Sequence, residues 1–127
     1  MFDEAIKEFN LIKSELNLAQ LISIKNGYTR NILSQRNGFW LSILNWDSGV
    51  ETPIHGHPDF AFVYVVSGEI IHTPYKESSE NIQAGKYFYN IEKNGKFDNF
   101  PHKINIKKPT MSLHFYSDDG RKGKIIN

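Results

Sequence analysis

The sequence predicts an all-β fold, a sandwich or barrel with a short N-terminal helical segment. Short runs rich in Val, Ile, Phe, Tyr and Trp alternate with turn pairs such as Asn37-Gly38 and Ser67-Gly68, a punctuation typical of antiparallel strands. The 127 residues, of which 39% are hydrophobic, suffice for one core and are too few for two ordinary domains. We therefore expect a single domain over residues 1–127.

The predicted helical segment covers residues 1–26. Its apolar residues recur at intervals of three and four, the spacing of one amphipathic helix or two short ones. They are Ile6, Phe9, Ile12, Leu16, Ala19 and Leu21. Asn26-Gly27 is a typical helix end, and residues 27–127 form the predicted β-barrel.

The rest of the chain predicts eight short strands, a number that indicates a sandwich or barrel in so small a domain. We place them near residues 28–35, 39–46, 53–57, 60–66, 69–75, 86–91, 100–107 and 111–117. The polar segment KESSENIQ (76–83) lacks periodicity and is predicted to be a solvent-facing connection. The run FAFVYVV (60–66) is apolar on both faces. One face belongs to the barrel interior, and the N-terminal helix, a second sheet or a partner subunit covers the other.

Charge and cysteine content exclude several classes of function. Fifteen Lys and Arg against fourteen Asp and Glu provide no basic stripe for phosphates, so nucleic acid is not an expected partner. The absence of cysteine excludes disulfides, thiolate metal sites and cysteine nucleophiles. No apolar run approaches the ~20 residues of a membrane-spanning helix, and the N-terminus is acidic. We expect a soluble, cytoplasmic monomer or homodimer.

A histidine pair is the first candidate site. In a strand, residues i and i+2 project from the same face, so His55 and His57 present two imidazoles side by side. A closed barrel can bring His102, in a late strand, against them. Three neutral imidazoles suit Zn, Fe, Ni or Cu. The alternative is that His-x-His is simply two histidines on a wet strand.

The surroundings of this pair resemble the first motif of the cupins. Gly49 precedes His55 by five intervening residues, and the run after His57 ends at a turning glycine, Gly68. The resemblance implies a double-stranded β-helix, or jelly-roll barrel. Ordinary cupins add a metal-binding Glu, but the equivalent position here is Ala61. A site with three histidines and no acid leaves the metal its full positive charge and open positions, which favours an anionic substrate.

Four patches in order resemble the cysteine dioxygenases, the thiol dioxygenases among the cupins. They are YTRN at 28–31, LNW at 44–46, IHGH at 54–57 and SLHFYS at 112–117. The resemblance implies Fe(II) bound by His55, His57 and His102. It further implies that a small thiol such as cysteine reacts with O2 and that both oxygen atoms end on sulfur, giving a sulfinate.

Arg30 is the candidate residue for binding the substrate carboxylate, with Tyr28 as a second contact. It is one of three arginines in the chain, and a guanidinium fork binds a carboxylate in a bidentate manner that lysine cannot imitate. Relatives that act on 3-mercaptopropionate usually carry Gln here, so Arg30 favours cysteine. The alternative is that Arg30 faces solvent on an edge strand.

Ser112, His114 and Tyr116 occupy alternate positions and therefore share one strand face, with apolar residues on the other. The resemblance implies a hydrogen-bonded relay that ends at the Tyr116 hydroxyl near the iron. Two alternatives stay open: a polar face exposed to water, or His114 as the third metal ligand in place of His102. His72 has no partner at a recognisable spacing and is predicted to lie at the surface or behind the metal ligands.

Three departures from the family pattern qualify this resemblance. Ala61 replaces the cysteine that animal enzymes cross-link to their tyrosine, so Tyr116 is expected to be a free phenol. The family's Pro after Tyr-Ser is Asp118 here, and the sequence ends eleven residues after Tyr116. We expect a more open mouth, a larger thiol or a lid from a second subunit. The competing hypotheses are a metal-dependent cupin acting on a non-thiol substrate and a non-enzymatic ligand-binding cupin.

Overall fold

The computed structural model describes Lys7 and residues 27–36, 39–91 and 95–126. The predicted helical segment 1–26 lies outside the described residues, except for Lys7, whose backbone is helical. Within the described part of the chain, no helix combines the length and the apolar character needed to cross a bilayer.

Nine strands make up the described fold, and all their pairings are antiparallel. They are β1 (Tyr28–Arg36), β2 (Phe39–Trp46), β3 (His55–His57), β4 (Phe60–Ser67), β5 (Glu69–Pro74), β6 (Glu80–Gln83), β7 (Tyr87–Ile91), β8 (Asn99–Asn105) and β9 (Thr110–Tyr116). A five-stranded sheet has the order β1-β2-β9-β4-β7, and a four-stranded sheet has the order β3-β8-β5-β6. The all-β prediction is confirmed.

Strand β6 corrects one prediction. Residues 76–83 were expected to form a solvent-facing connection, yet the second half of this segment pairs with β5. Ile82 is the only buried residue of β6, and β6 is the edge of the four-stranded sheet. Polar residues are typical of edge strands, because they discourage pairing with other chains. In β6 they also remove the alternation of apolar residues by which a strand is predicted.

Two apolar clusters lie on opposite faces of the five-stranded sheet, as the alternation of side chains requires. The first includes Leu44, Trp46, Ala61, Val63, Val65 and Tyr116 and packs against Ile70, Ile82 and Ile104 of the second sheet. The second cluster contains Leu41, Ile43, Phe60, Phe62, Leu113 and Phe115. Strand β4 is therefore buried on both faces, as its sequence predicts, with Phe62 and Val63 0% and 2% exposed.

Candidate metal centre

Three histidines from the four-stranded sheet converge at one point. His55 on β3 lies directly opposite His102 on β8, and His57 projects from the same face as His55. The ligand atoms of the three side chains lie within 4.8 Å of one another. The structure thus brings together the three residues that the sequence singled out, and this group contains no carboxylate.

A bulge in β8 shapes the site around His57. His55 pairs with His102 but His57 pairs with Asn99, so β8 carries one extra residue between the two pairs. Phe100 in this bulge has a φ of 48°, and Pro101 lacks the N–H that a regular ladder requires. Bulges are common beside functional sites because they re-aim side chains. This one brings the carbonyl oxygens of Asn99 and Phe100 to 3.2 and 3.1 Å from the His57 Nδ1.

These hydrogen bonds fix which nitrogen of each ring is free. His57 Nδ1 contacts only carbonyl oxygens, and His55 Nδ1 lies 2.9 Å from the Pro53 carbonyl oxygen. Because a carbonyl only accepts, both Nδ1 atoms donate and both Nε2 atoms keep a lone pair. The Nε2 atoms of His57 and His102 are buried without a hydrogen-bond partner. Converging lone pairs that nothing else satisfies are what a bound metal requires, so these residues fit a metal ion.

Burial keeps the three imidazoles neutral. Desolvation lowers the pKa of His57 to about 3, with a further contribution from the nearby charge of His55. The pKa of His102 is held well below its usual value by burial, then by His57 and His55, and burial also lowers the pKa of His55. A neutral imidazole is the form that binds metal, so the site is ready for a cation at neutral pH.

The metal-free protein is expected to lose stability in mild acid. A histidine with a lowered folded pKa binds protons more readily when unfolded, so its stabilising contribution is full above pH 6.5 and declines toward the folded pKa, about 3 for His57. Each such histidine contributes a slope of up to about 1.4 kcal/mol per pH unit. Urea unfolding at pH 7 and pH 5 measures this loss, with equal m-values showing that the same transition is compared. Equal unfolding free energies would contradict it.

A second hydrogen-bonded chain, the tyrosine relay, consists of Trp46, Ser112, His114 and Tyr116. Trp46 Nε1 donates to Ser112 Oγ at 2.8 Å, Ser112 Oγ lies 2.6 Å from His114 Nε2, and His114 Nδ1 lies 2.9 Å from the Tyr116 hydroxyl. Ser112, His114 and Tyr116 are all buried, so this face of β9 is not the water-exposed one of the alternative. With both ring nitrogens of His114 engaged, the geometry favours His102 as the third metal ligand.

The order of donors in the tyrosine relay follows from Ser112. Its oxygen accepts the indole N–H, and no other acceptor for its hydrogen lies among the described residues, so the hydroxyl donates to His114 Nε2. His114, which burial keeps neutral by lowering its pKa well below the usual value, then donates from Nδ1 to the Tyr116 oxygen. Burial raises the pKa of Tyr116 to about 12. Tyr116 therefore retains a hydrogen that it can donate into the cavity.

One cavity of about 270 Å³ joins these groups, with His55, His57, His102 and Tyr116 in its wall. Tyr28 and Arg30 line it too, so Arg30 does not face bulk solvent as the alternative had it. The Arg30 guanidinium carbon lies 6.0 Å from the centre of the Tyr116 ring, and its Nη1 is 3.5 Å from Ser42 Oγ.

No carboxylate among the described residues forms an ion pair with Arg30. The acid that Arg30 influences electrostatically is Asp119, whose pKa is lowered chiefly by its hydrogen bonds to Arg121. Arg121 Nη2 lies 2.7 Å from Asp119 Oδ2, and Arg121 Nε also donates to this carboxylate. Because Asp119 is thus engaged, the Arg30 guanidinium remains available to an anion in the cavity.

The segment after β9 closes one side of the cavity, which the sequence did not reveal. It includes a single 3-10 turn (Gly120–Lys122) and returns along β3, with a hydrogen bond from the Gly56 N–H to the Lys124 carbonyl at 2.7 Å. Gly123 packs so closely on Gly56 that a Cβ would collide with the Gly56 carbonyl oxygen. Gly120, Arg121, Gly123 and Ile125 of this segment thus line part of the cavity. The glycines in this polar tail were the only sequence signal for the close packing.

The position of His72 corrects the surface alternative. Its side chain is 1% exposed and its Nε2 lies 2.8 Å from His102 Nδ1, so it lies behind a candidate metal ligand. All five histidines of the chain thus belong to the candidate site or its immediate support.

Neither a protein-family model nor a curated protein sequence matches the chain. Solved structures do. A cupin superfamily protein from Desulfitobacterium hafniense DCB-2 is 17% identical, with 82% of this chain and 90% of that chain covered and a TM-score of 0.66. An oxalate oxidase in complex with glycolate is 17% identical over 87% of this chain and 62% of that one, with a TM-score of 0.64.

A third neighbour is the polyketide cyclase RemF from Streptomyces resistomycificus. It is 16% identical over 79% of this chain and 71% of that chain, with a TM-score of 0.63. The similar structures thus include an oxidase and a cyclase beside a protein described only by its superfamily. At identities this low, the structural similarity establishes the fold alone. The activity depends on the residues that this chain places in the site. The protein has the cupin fold.

Proposed function

We propose that this protein is a non-haem Fe(II)-dependent thiol dioxygenase that oxidises L-cysteine to cysteine sulfinic acid with O2. The observation that carries the proposal is one cavity that combines a three-histidine, carboxylate-free group with a buried phenol and a guanidinium that has no carboxylate partner among the described residues. The sequence patches that resemble the cysteine dioxygenases contain His55, His57, Arg30 and Tyr116, whereas His102 lies outside them.

The two ends of the cavity suit the two ends of cysteine. Arg30 binds the carboxylate in a charge-assisted pair, and Tyr28, which lines the cavity beside it, adds a hydroxyl contact. The volume of about 270 Å³ lies below the ~300–1,000 Å³ typical of sites for drug-sized ligands. A ligand as small as an amino acid fits this volume, whereas a polyketide does not.

Iron(II) held by His55, His57 and His102 would supply the positions at which the thiolate and O2 bind and exchange electrons. Without a carboxylate ligand, the site keeps its positive charge for the anionic thiolate. The protein contributes orientation, by holding the substrate between Arg30 and the histidines, and a low-dielectric setting in which both charges act strongly.

Tyr116 acts as a hydrogen-bond donor toward the reacting atoms. His114 Nδ1 donates to one lone pair of the Tyr116 oxygen, so the hydroxyl hydrogen is not used in the relay and can be donated to a group in the cavity. Because its pKa is raised to about 12, the phenol keeps that hydrogen at neutral pH. Ala61 lies opposite Tyr116 on β4, so no thioether forms there and the phenol is held in place by its hydrogen bond to His114.

Oxygen consumption tests this proposal directly. Protein loaded anaerobically with Fe(II) is mixed with L-cysteine, and sulfinate is counted against O2. We expect one sulfinate per O2, because R–SH plus O2 gives R–SO2H with both oxygen atoms retained. Zn(II)-loaded protein serves as the control and should consume no O2. Absence of uptake with cysteine, 3-mercaptopropionate and cysteamine, while iron is bound, would reject thiol oxidation and favour a metal-dependent cupin acting on another anion.

A further inference from the structure

A line of three side chains, the histidine relay, leads from the candidate metal centre to the protein surface. His102 Nδ1 lies 2.8 Å from His72 Nε2, and His72 Nδ1 lies 2.8 Å from Glu80 Oε1. His72 is buried, whereas the Glu80 side chain is 54% exposed. The relay joins β8, β5 and β6, neighbours in the four-stranded sheet.

The register of the sheet builds this relay. His72 lies directly opposite Glu80 on β6 and opposite Ile104 on β8, two residues along from His102. The His72 ring also stacks on Phe88, with ring centres 4.0 Å apart. This stacking holds the imidazole between its two partners, so the relay is a packed feature of the fold.

The chemistry of the three groups determines where the hydrogens lie. An ionised Glu80 can only accept, so His72 Nδ1 donates to it, and the Nε2 of a neutral His72 must accept. His102 then donates from Nδ1 and keeps its lone pair on Nε2. The opposite order would leave a hydrogen on His102 Nε2, which is buried with no hydrogen-bond partner. Only the first order directs a lone pair from all three candidate ligands toward one point.

We propose that Glu80 and His72 are positioning residues that fix the metal-binding tautomer of His102 and strengthen it as a ligand. The hydrogen bond to the Glu80 carboxylate makes His72 Nε2 a stronger hydrogen-bond acceptor. His72 Nε2, by accepting from His102 Nδ1, in turn increases the electron density on the His102 ring. This inference depends on the metal-binding part of the proposed function and does not depend on thiol oxidation.

The tautomer is measured first, on metal-free protein. In long-range 1H–15N correlation spectra of 15N-histidine-labelled protein, we expect the His102 hydrogen on Nδ1. A hydrogen on His102 Nε2 would overturn the proposal. This readout requires neither metal nor activity.

Metal affinity is measured next, by chelator competition with Zn(II) and with Fe(II). We expect Glu80→Gln to weaken binding by about 10- to 100-fold, the usual effect of removing a partner of a ligating histidine. Glu77→Gln is the matched control, because Glu77 lies in the same segment and influences His72 only through its charge. It should bind within about twofold of the unmodified protein. Glu80 is preferred to His72 as the site of change because it is half exposed, so folding is preserved.

The iron reduction potential gives a readout that a purely structural role would not move. Less electron density on His102 stabilises Fe(III) less, so Glu80→Gln should make the Fe(III)/Fe(II) potential more positive, and Glu77→Gln should leave it unchanged. If Glu80→Gln binds metal as tightly as the unmodified protein, this inference alone fails. If the unmodified protein binds neither metal, the proposed function fails with it.

Discussion

Replacement of His57 by alanine is expected to abolish stable iron binding and, with it, oxygen consumption. His57 is 2% exposed and provides one of three converging lone pairs. Loss of one ligand from such a site removes about a third of its binding free energy, roughly 4 kcal/mol or a thousandfold in affinity. The measurement is the metal content after loading with one equivalent of Fe(II), together with O2 uptake in the presence of cysteine.

The chain offers no histidine outside the site for a matched control, so folding of the variant is tested directly. Circular dichroism and urea unfolding of the metal-free His57→Ala protein should show a folded chain. Its unfolding free energy should depend less on pH between 7 and 5, because the group whose pKa is about 3 has been removed. A folded variant that binds iron as tightly as the unmodified protein would remove His57 from the ligand set.

Replacement of Arg30 by glutamine should lower kcat/KM for cysteine by roughly 30-fold or more, which corresponds to a loss of about 2 kcal/mol of transition-state stabilisation. The reason is that a charge-assisted bidentate pair is lost. Glutamine retains hydrogen-bonding capacity but not the charge that attracts the carboxylate. The measurement is steady-state O2 uptake across a range of cysteine concentrations with the iron content matched. The KM for cysteine should rise.

Cysteamine, which has the thiol and the amine of cysteine but no carboxylate, is the control substrate. Its kcat/KM should change by no more than a few-fold in Arg30→Gln. Equal losses for both substrates would mean that the substitution disturbs the cavity as a whole, and no loss for cysteine would show that Arg30 does not hold the carboxylate.

Most of the β fold is predictable because burial imposes patterns on the sequence. β2 and β4 are rich in apolar and aromatic residues, and their predicted bounds agree closely with those observed. β6 was not predicted because three of its four residues are exposed. Its sequence therefore has the polar composition that is typical of a loop. Its pairing depends on the position of β5, which no local pattern in 76–83 reveals.

In the candidate site, too, some contacts can be predicted from the sequence and others cannot. Ser112, His114 and Tyr116 share a face because a strand alternates with a period of two, so their alignment can be read from the sequence. His72 and Glu80 meet across two strands, and nothing in the spacing of eight residues marks that contact. The wall formed after β9 depends on a hydrogen bond between Gly56 and Lys124, which only the folded chain brings together.

The β3–β8 pairing that sets His55 opposite His102 has an evolutionary consequence. Strand register is set by the alternation of buried and exposed side chains along each strand and by the geometry of the turns. Mutation can therefore exchange surrounding side chains while the three imidazoles keep their relative positions, provided that the pattern of buried residues, the histidines and the bulge at Phe100 persist. The relative positions of the three candidate ligands are therefore less sensitive to single substitutions than the packing of any one side chain around them.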